Sequence, residues 1–217
     1  LPPGVYSVSE SPLAGWDLTG ASCSDGSNPA NIDVAAGETV TCTFANTKRG
    51  SLTVVKNASG GDAEFPIVSQ RLGTFSLIAG GTAQRSFSNL APGSYDLAES
   101  VPSGWRQDGA VCSDGSTLPN VVVDPGEHVT CTFTNTKLDT IIVVKRAVGG
   151  DAAFPFVSPS LGGFTLTTAG GEMVRNFNNL APGSYGLTET VPAGWTQSSA
   201  TCSDGSNPAS INLSAGE

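Results

Sequence analysis

The sequence predicts an all-β protein built as a tandem array of antiparallel β-sandwich repeats. First, one motif occurs three times, as YSVSESPLAGW at 6–16, YDLAESVPSGW at 95–105 and YGLTETVPAGW at 185–195. Second, short runs of β-forming residues alternate with clusters of Gly, Pro, Asn and Asp, which is the pattern of strands and turns. Third, no stretch has the 3.6-residue periodicity of an amphipathic helix.

The repeat length sets the predicted domain organisation. The segments VTCTFANTK (40–48) and VTCTFTNTK (129–137) end two units. We therefore divide the chain into the C-terminal half of a first repeat (1–48), one complete repeat (49–137) and a third repeat without its last strand (138–217). On this division we expect the sequence to be a window on a longer tandem array. The alternative is strand exchange, in which another chain supplies the last strand.

The complete repeat contains a series of short candidate strands: LTVVK, GTFSLIA, QRSFSNL, SYDLAES, WRQDGAV, NVVV and HVTCTFTNT. That many short strands in so few residues favour a β-sandwich. The segments that join the repeats, KRGS and LDT, are very short. Short joints limit how far neighbouring repeats can swing, so we expect a stiff string of domains.

Composition and charge exclude several classes of function. Only 13% of the residues are charged and the net charge is −9, so the chain cannot neutralise the phosphates of a nucleic acid or an anionic membrane. No apolar run approaches the ~20 residues of a transmembrane helix, and no basic-then-apolar signal peptide opens the sequence. The motifs GxSxG and HExxH and a phosphate-binding loop are absent. We expect no turnover enzyme, no cofactor, no nucleic-acid partner and no membrane insertion.

Five regularly spaced cysteines predict disulfide bonds. Cys23 and Cys42 are 19 positions apart, and so are Cys112 and Cys131. One pair in each repeat indicates a disulfide framework formed in an oxidising compartment outside the cell. The fifth cysteine is Cys202, whose partner we expect four residues beyond Glu217. Zinc is the alternative, but a structural zinc ion takes four Cys or His ligands and the chain has one histidine, so no metal is predicted.

Three polar residues of the complete repeat share the parity of an apolar strand face. Because side chains alternate along a strand, Lys56 lies on the apolar face of LTVVK, Glu99 on that of YDLAE and Asn135 on that of CTFTN. The other two repeats carry residues at the equivalent positions, namely Glu10, Asn46, Lys145 and Glu189. Burying a lone ammonium or carboxylate is costly, so the convergence of three such groups indicates chemistry.

The chemistry that these residue types allow is the formation of an isopeptide bond. A desolvated lysine loses its proton more easily and becomes a nucleophile. A neighbouring carboxylic acid can polarise a carboxamide oxygen and pass protons to the leaving ammonia. The hypothesis is an amide bond between Lys56 and Asn135, with Glu99 as proton shuttle, that joins the first and last strands. The equivalent residues in the other repeats are Lys145 and Asn46 for the bond and Glu189 and Glu10 for the shuttle.

The unit resembles the B-type repeat of collagen-binding adhesins (Cna B-type), a SpaA-like domain with the prealbumin-like fold that is also found in Gram-positive pilins. That family has a Lys on the first strand, a Glu in a Tyr-x-Leu-x-Glu-Thr box followed by Pro-x-Gly and an aromatic residue, and an Asn on the last strand. The matching residues here are Lys56, Glu99 in YDLAESVPSGW and Asn135 in TFTNTK. The resemblance covers the whole chain and implies self-formed isopeptide bonds in rod-like surface proteins. The cysteine pair is a departure, since many Gram-positive pilins lack it.

Structural interpretations of the same residues remain open. Lys56 and Lys145 could extend to solvent at strand ends, with Glu99 as a simple ion-pair partner. Asn135 could cap the turn into the next repeat. The tryptophan of each motif is expected in the core rather than stacked on a sugar. The DGS segments are expected to form turns, because they lack the spaced oxygen ligands of a calcium loop.

The sequence therefore predicts a structural extracellular protein, a stiff stalk or filament on a bacterial cell surface or secreted from the cell. Its expected partners are neighbouring repeats of the same chain or of identical chains. One alternative is an adhesin whose loops bind a host surface protein or glycan, and another is the non-catalytic scaffold of a larger secreted enzyme. The near-identity of the repeats favours a spacer, because binding needs only one specialised unit. The only reaction expected is a single self-crosslinking event in each repeat.

Overall fold

The computed structural model describes residues 1–217 and consists of β-strands and turns, so the all-β prediction is confirmed. The chain forms no helix of the length and apolarity needed to cross a membrane. We call residues 1–48, 49–137 and 138–217 repeats one, two and three. Repeat one contains four strands, β1 (Gly4–Tyr6), β2 (Trp16–Cys23), β3 (Ile32–Val34) and β4 (Cys42–Lys48).

Repeat two contains nine strands, because each turn-forming cluster of the sequence reverses the chain after a few residues. They are β5 (Gly50–Ser59), β6 (Ala63–Val68), β7 (Phe75–Ala79), β8 (Thr82–Leu90), β9 (Gly93–Asp96), β10 (Ala98–Glu99), β11 (Trp105–Cys112), β12 (Asn120–Val123) and β13 (His128–Lys137).

Strand β6 was not among the predicted strands, because Pro66 lies in its middle and proline cannot donate a ladder hydrogen bond. The carbonyl oxygen of Pro66 accepts a hydrogen bond from the backbone nitrogen of Ser100, 2.9 Å away, just beyond the end of β10. The proline nitrogen faces the same segment but has no hydrogen to donate, so Pro66 and Ser100 form one hydrogen bond and not two.

Two sheets form repeat two, and its core lies between them. One sheet has the strand order β11-β13-β5-β8, and opposite it lie the β10-β6-β7 sheet and the β9–β12 ribbon. The first strand β5 and the last strand β13 are parallel neighbours, with Val54 opposite Cys131 and Lys56 opposite Phe133. Because the pair is parallel, the start of β5 and the end of β13 lie at opposite ends of it.

Alternating residues of the paired strands fill this core, as the period of two requires. Leu52 and Val54 on β5 and Val129 and Phe133 on β13 are almost completely buried. Trp105 is also buried, at 8% exposure, as expected for the tryptophan of the repeated motif, whereas Trp16 of repeat one is 39% exposed and departs from that expectation.

Repeat three contains β14 (Asp139–Arg146), β15 (Ala153–Val157), β16 (Phe164–Thr167), β17 (Glu172–Leu180), β18 (Gly183–Tyr185), β19 (Thr188–Glu189) and β20 (Ile211–Leu213). Its pairings β14–β17, β16-β15-β19 and β18–β20 repeat those of the corresponding strands in repeat two. Residues 195–202, which correspond to β11, form no strand. In repeat two, β11 pairs only with β13. Repeat three contains no strand equivalent to β13, so residues 195–202 have no partner strand.

Candidate isopeptide site

The structure brings the three predicted side chains of repeat two together. Lys56 lies on β5, Glu99 on β10 and Asn135 on β13, so both sheets contribute. The Nζ atom of Lys56 donates a hydrogen bond to Asn135 Oδ1 at 2.7 Å and lies 3.2 Å from Glu99 Oε1. The side chains of Lys56 and Glu99 and the whole of Asn135 are 0% exposed. Solvent therefore competes with none of these contacts.

The parallel pairing of β5 with β13 explains why the lysine meets the asparagine. Lys56 is opposite Phe133 in the register, and Asn135 lies two residues farther along the same strand. Residues two apart on a strand share a face, so Asn135 projects into the same core as Phe133. The long lysine side chain spans the remaining step along the strand direction.

Several polar atoms of the site lack a hydrogen-bond partner. Glu99 Oε2 and Asn135 Nδ2 are buried without a hydrogen-bond partner, and Glu99 Oε1 has only its 3.2 Å ion-pair contact with the Lys56 amine. The amine of Lys56 also reaches two backbone carbonyl oxygens, those of Asn57 at 3.2 Å and Phe133 at 3.4 Å. An unpaired buried polar group costs roughly 1–3 kcal/mol, so a purely structural cluster would be poorly satisfied. The Glu99 carboxyl and the Asn135 amide nitrogen are therefore the least satisfied groups of the cluster.

An aromatic pair covers the lysine, and sequence reasoning missed its first member. The ring centroid of Phe65 lies 4.2 Å from Lys56 Nζ, and Trp105 packs edge-on against that ring with centroids 5.0 Å apart. Repeat three has the same arrangement, with Phe154 4.1 Å from Lys145 Nζ. Each phenylalanine follows its lysine by nine positions, and this shared spacing is the sequence signal that could have identified it.

The environment of Lys56 makes its amine easier to deprotonate than that of a solvent-exposed lysine. Burial lowers the pKa of Lys56 below its ordinary value of 10.5, and the neighbouring Glu99 carboxylate opposes this effect only in part. Moving one proton from the Lys56 amine to the Glu99 carboxylate would remove both charges from the buried site. The arrangement therefore allows a neutral nucleophile and a protonated acid to face one carboxamide.

The equivalent residues of the other repeats form partial versions of this site. In repeat three, Lys145 Nζ donates to Glu189 Oε1 at 2.6 Å, and Gln197, which was not predicted, donates to Glu189 Oε2 at 3.2 Å. In repeat one, Asn46 Nδ2 donates to Glu10 Oε1 at 2.6 Å. Lys145 and Asn46 thus each contact the predicted carboxylate of their own repeat, and they do not meet each other.

Two of the predicted disulfides are present. Cys23 bonds to Cys42 and Cys112 bonds to Cys131, and each pair lies directly opposite in the register of two antiparallel strands. Cys202 is unpaired. In repeat two the disulfide fixes β11 to β13, the strand that carries Asn135 four residues after Cys131. The disulfide therefore fixes the register between β11 and β13, while the pairing of β13 with β5 places the asparagine beside the lysine.

Comparison with known proteins gives the following matches. The family model of the SpaA-type prealbumin-like fold domain matches residues 1–48, 52–137 and 141–217. No curated protein matches the chain. Among solved structures, the TIE protein of Bacillus anthracis is 17% identical with a TM-score of 0.36, and the match covers 88% of this chain and 37% of that one. The major pilin T-13 of Streptococcus pyogenes is 15% identical with a TM-score of 0.26, covering 69% of this chain and 84% of the pilin. The chain thus spans little more than a third of the Bacillus protein.

Proposed function

This chain belongs to the family of prealbumin-like fold domains, and we propose that it is a structural extracellular protein forming a stiff stalk or filament on a bacterial surface. Each complete repeat is fastened by a disulfide and by an isopeptide bond between the lysine of its first strand and the asparagine of its last. The observation that carries the proposal is the 2.7 Å contact between Lys56 Nζ and Asn135 Oδ1 beside the fully buried Glu99.

The bond forms by attack of the neutral Lys56 amine on the side-chain carbonyl carbon of Asn135. Protonated Glu99 stabilises the charge that develops on Oδ1 and delivers its proton to Nδ2; as the carboxylate it then takes up the proton released by Nζ. The bond from Nζ to the carbonyl carbon forms, the bond from that carbon to Nδ2 breaks, and ammonia leaves. No oxidant or external reactant is needed, and each site reacts once.

The position of the bond suits a chain under tension. In a tandem array, force enters repeat two at the start of β5 and leaves at the end of β13. Because these strands are parallel neighbours, the force shears the hydrogen bonds between them. A bond from Lys56 to Asn135, 79 positions apart, would carry the load directly between the two strands. Residues 57–134 would then lie outside the load path, and the repeat could not be pulled open.

The mass of the intact chain, measured after reduction and denaturation, tests the proposal. We expect a deficit of one ammonia, about 17 Da, because amide formation releases one ammonia. Fragmentation should locate the link between Lys56 and Asn135. The variant Glu99→Ala should have its full theoretical mass, because the proton shuttle is gone. The variant Glu189→Ala is the matched control and should keep the deficit, since the deficit arises in repeat two.

A full theoretical mass for the unmodified chain would refute the isopeptide proposal. The three side chains would then form a polar cluster only, and the disulfide would be the single covalent link within repeat two. A deficit that survives in Glu99→Ala would refute the shuttle role of that residue and leave the bond itself in place.

A further inference from the structure

The turn that follows the first strand of repeat two contacts repeat three. It contains Gly60 and Gly61, with φ angles of 104° and 127°, a region that favours glycine. A Cβ atom on Gly60 would lie 2.7–2.9 Å from atoms of Ala215 and Lys137. A Cβ atom on Gly216 would overlap the carbonyl of Gly60. The two backbones are therefore in direct contact, and a side chain on either side would separate them.

The contacting segment of repeat three is a preformed loop. In residues 214–217 the backbone nitrogen of Glu217 donates to the carbonyl of Ser214, at 3.1 Å. The Glu217 carboxylate in turn accepts a hydrogen bond from the backbone nitrogen of Ser214, at 2.9 Å. The same two bonds close residues 35–38 of repeat one and 124–127 of repeat two. We call these three segments the glutamate loops.

The glutamate loop of repeat two contacts repeat one in a related way. The backbone nitrogen of Gly126 donates to the carbonyl of Lys48 at 3.1 Å, across the joint between the repeats. A Cβ atom on Gly126 would lie 2.9 Å from the Lys48 side chain. Lys48 occupies the position in repeat one that Lys137 occupies in repeat two. At the first joint the glycine of the glutamate loop therefore lies against Lys48 at the end of the preceding repeat, and at the second it lies against Gly60, whose turn is beside Lys137.

We infer that the Gly-Gly turn is a docking surface for the glutamate loop of the next repeat along the chain, and that this contact fixes the angle between neighbouring repeats. The contact is small, so it depends on the high effective concentration that a joint of a few residues provides. It orders no long side chain and so loses little conformational entropy. The inference deepens the rod-like role proposed above but does not require the isopeptide bond.

The turn at Gly149 and Gly150 of repeat three supports the inference and supplies a control. Its sequence VGGD matches SGGD of repeat two, and its φ angles of 101° and 148° lie in the same region. Its sequence and conformation would suit the same kind of partner, a glutamate loop. Within the present chain, however, nothing lies within 4 Å of a Cβ atom placed on Gly149.

The test compares Gly60→Ala with Gly149→Ala in the whole chain. Both substitutions place a Cβ atom at a φ near +100°, so the backbone strain is matched. The Cβ atom at position 60 meets Ala215 of repeat three and Lys137 of its own repeat, whereas the one at position 149 meets nothing. Residual dipolar couplings report the orientation of each repeat. Repeats two and three should share one alignment tensor in the unmodified chain and in Gly149→Ala. In Gly60→Ala the tensor magnitude of repeat three should fall to about half or less, because the repeats then reorient independently.

If repeats two and three of Gly60→Ala still share one alignment tensor, the inference is wrong. It is also wrong if Gly149→Ala lowers the tensor magnitude of repeat three equally, because the effect would then come from strain in the turn. Gly216→Ala approaches the contact from the other side and should reproduce the effect of Gly60→Ala. The intact mass of each variant separates this test from the isopeptide proposal. The contact and the bond are independent, so the mass should be that of the unmodified chain apart from the added methylene.

Discussion

Repeats two and three have equivalent first strands and an equivalent glutamate, but the lysine side chain contacts different groups in the two repeats. In repeat two the Lys56 amine is closer to the amide oxygen of Asn135, at 2.7 Å, than to Glu99, at 3.2 Å. In repeat three the Lys145 amine donates a hydrogen bond to the Glu189 carboxylate at 2.6 Å. The strand that carries the asparagine therefore draws the amine away from the carboxylate and toward a carbonyl.

The lysine and glutamate of repeat two are also more deeply buried than those of repeat three. The Lys56 and Glu99 side chains are both 0% exposed, whereas those of Lys145 and Glu189 are 14% and 5% exposed. On the first strand, Val54 is 0% exposed and its counterpart Val143 is 7% exposed. In the proposed reaction the last strand supplies the electrophile and also completes the exclusion of water. We therefore expect the lysine and glutamate to assemble without the last strand, and the site to react only when that strand docks.

The largest expected effect comes from supplying the last strand to repeat three as a peptide. A peptide with the sequence of residues 128–137, added to the whole chain under reducing conditions, should pair with β14 and place its asparagine beside Lys145. We expect a covalent adduct whose mass is that of chain plus peptide minus one ammonia. Reduction prevents a disulfide with Cys202 from producing the adduct instead.

Two controls decide what the adduct means. A peptide with alanine in place of its asparagine should bind without forming an adduct, and the chain variant Lys145→Met should form none with the original peptide. If an adduct forms equally well with Lys145→Met, the lysine of repeat three is not the nucleophile. If the peptide binds the unmodified chain but no adduct forms, docking of the last strand does not make the site reactive and the proposal is wrong.

The next effect is the loss of stability when repeat two cannot form its bond. Lys56→Met removes the amine but keeps a long apolar side chain in the buried site. A link between residues 79 positions apart should stabilise the repeat by about 4–5 kcal/mol, since it restricts the unfolded chain. Unfolding in guanidinium, followed by NMR signals of repeat two, measures the loss. Lys145→Met should cost repeat three much less, and equal losses would contradict the comparison.

A smaller loss is expected when the disulfide of repeat two is removed. The pair Cys112 and Cys131 is 19 positions apart, so the same chain-entropy argument gives about 3 kcal/mol for the double variant Cys112→Ala/Cys131→Ala. Guanidinium unfolding of repeat two again provides the measurement. Cys202→Ala removes an unpaired cysteine from repeat three and is the matched control. A loss in the control as large as in the double variant would show that packing, not cross-linking, is the source.

The sequence alone located the candidate site because strand parity is a local property. Once LTVVK and CTFTN are recognised as strands, the period of two puts Lys56 and Asn135 on the apolar faces, whatever the strand order. The cysteine spacing predicted the disulfides for a similar reason, because the same spacing recurs in each repeat. What could not be predicted depends on strand order, such as the parallel pairing of β5 with β13. That pairing is decided by tertiary packing, on which a single sequence is silent.

Two residues near the site show where local rules fail. Phe65 lies beneath the lysine, but it belongs to β6, which the proline at position 66 concealed. Gln197 donates a hydrogen bond to Glu189 but lies in a segment that forms no strand. The alternation of side chains along a strand therefore cannot predict where it points. Both contacts join segments distant in sequence, and only the folded arrangement of the strands brings them together.

The smallest expected effect is a pH dependence that isolates the buried amine. In Glu99→Gln no bond should form, and burial, no longer opposed by the Glu99 carboxylate, then lowers the pKa of Lys56 below the 10.5 of the unfolded chain. Between the lowered pKa and 10.5 the unfolded state binds more protons than the folded state, so the free energy of unfolding of repeat two should rise as the pH increases through this window. Denaturant unfolding at several pH values measures this rise. Lys56→Met/Glu99→Gln should lack it, because every other titrating group is shared, and parallel curves for the two variants would show that the amine is not held in a desolvated site.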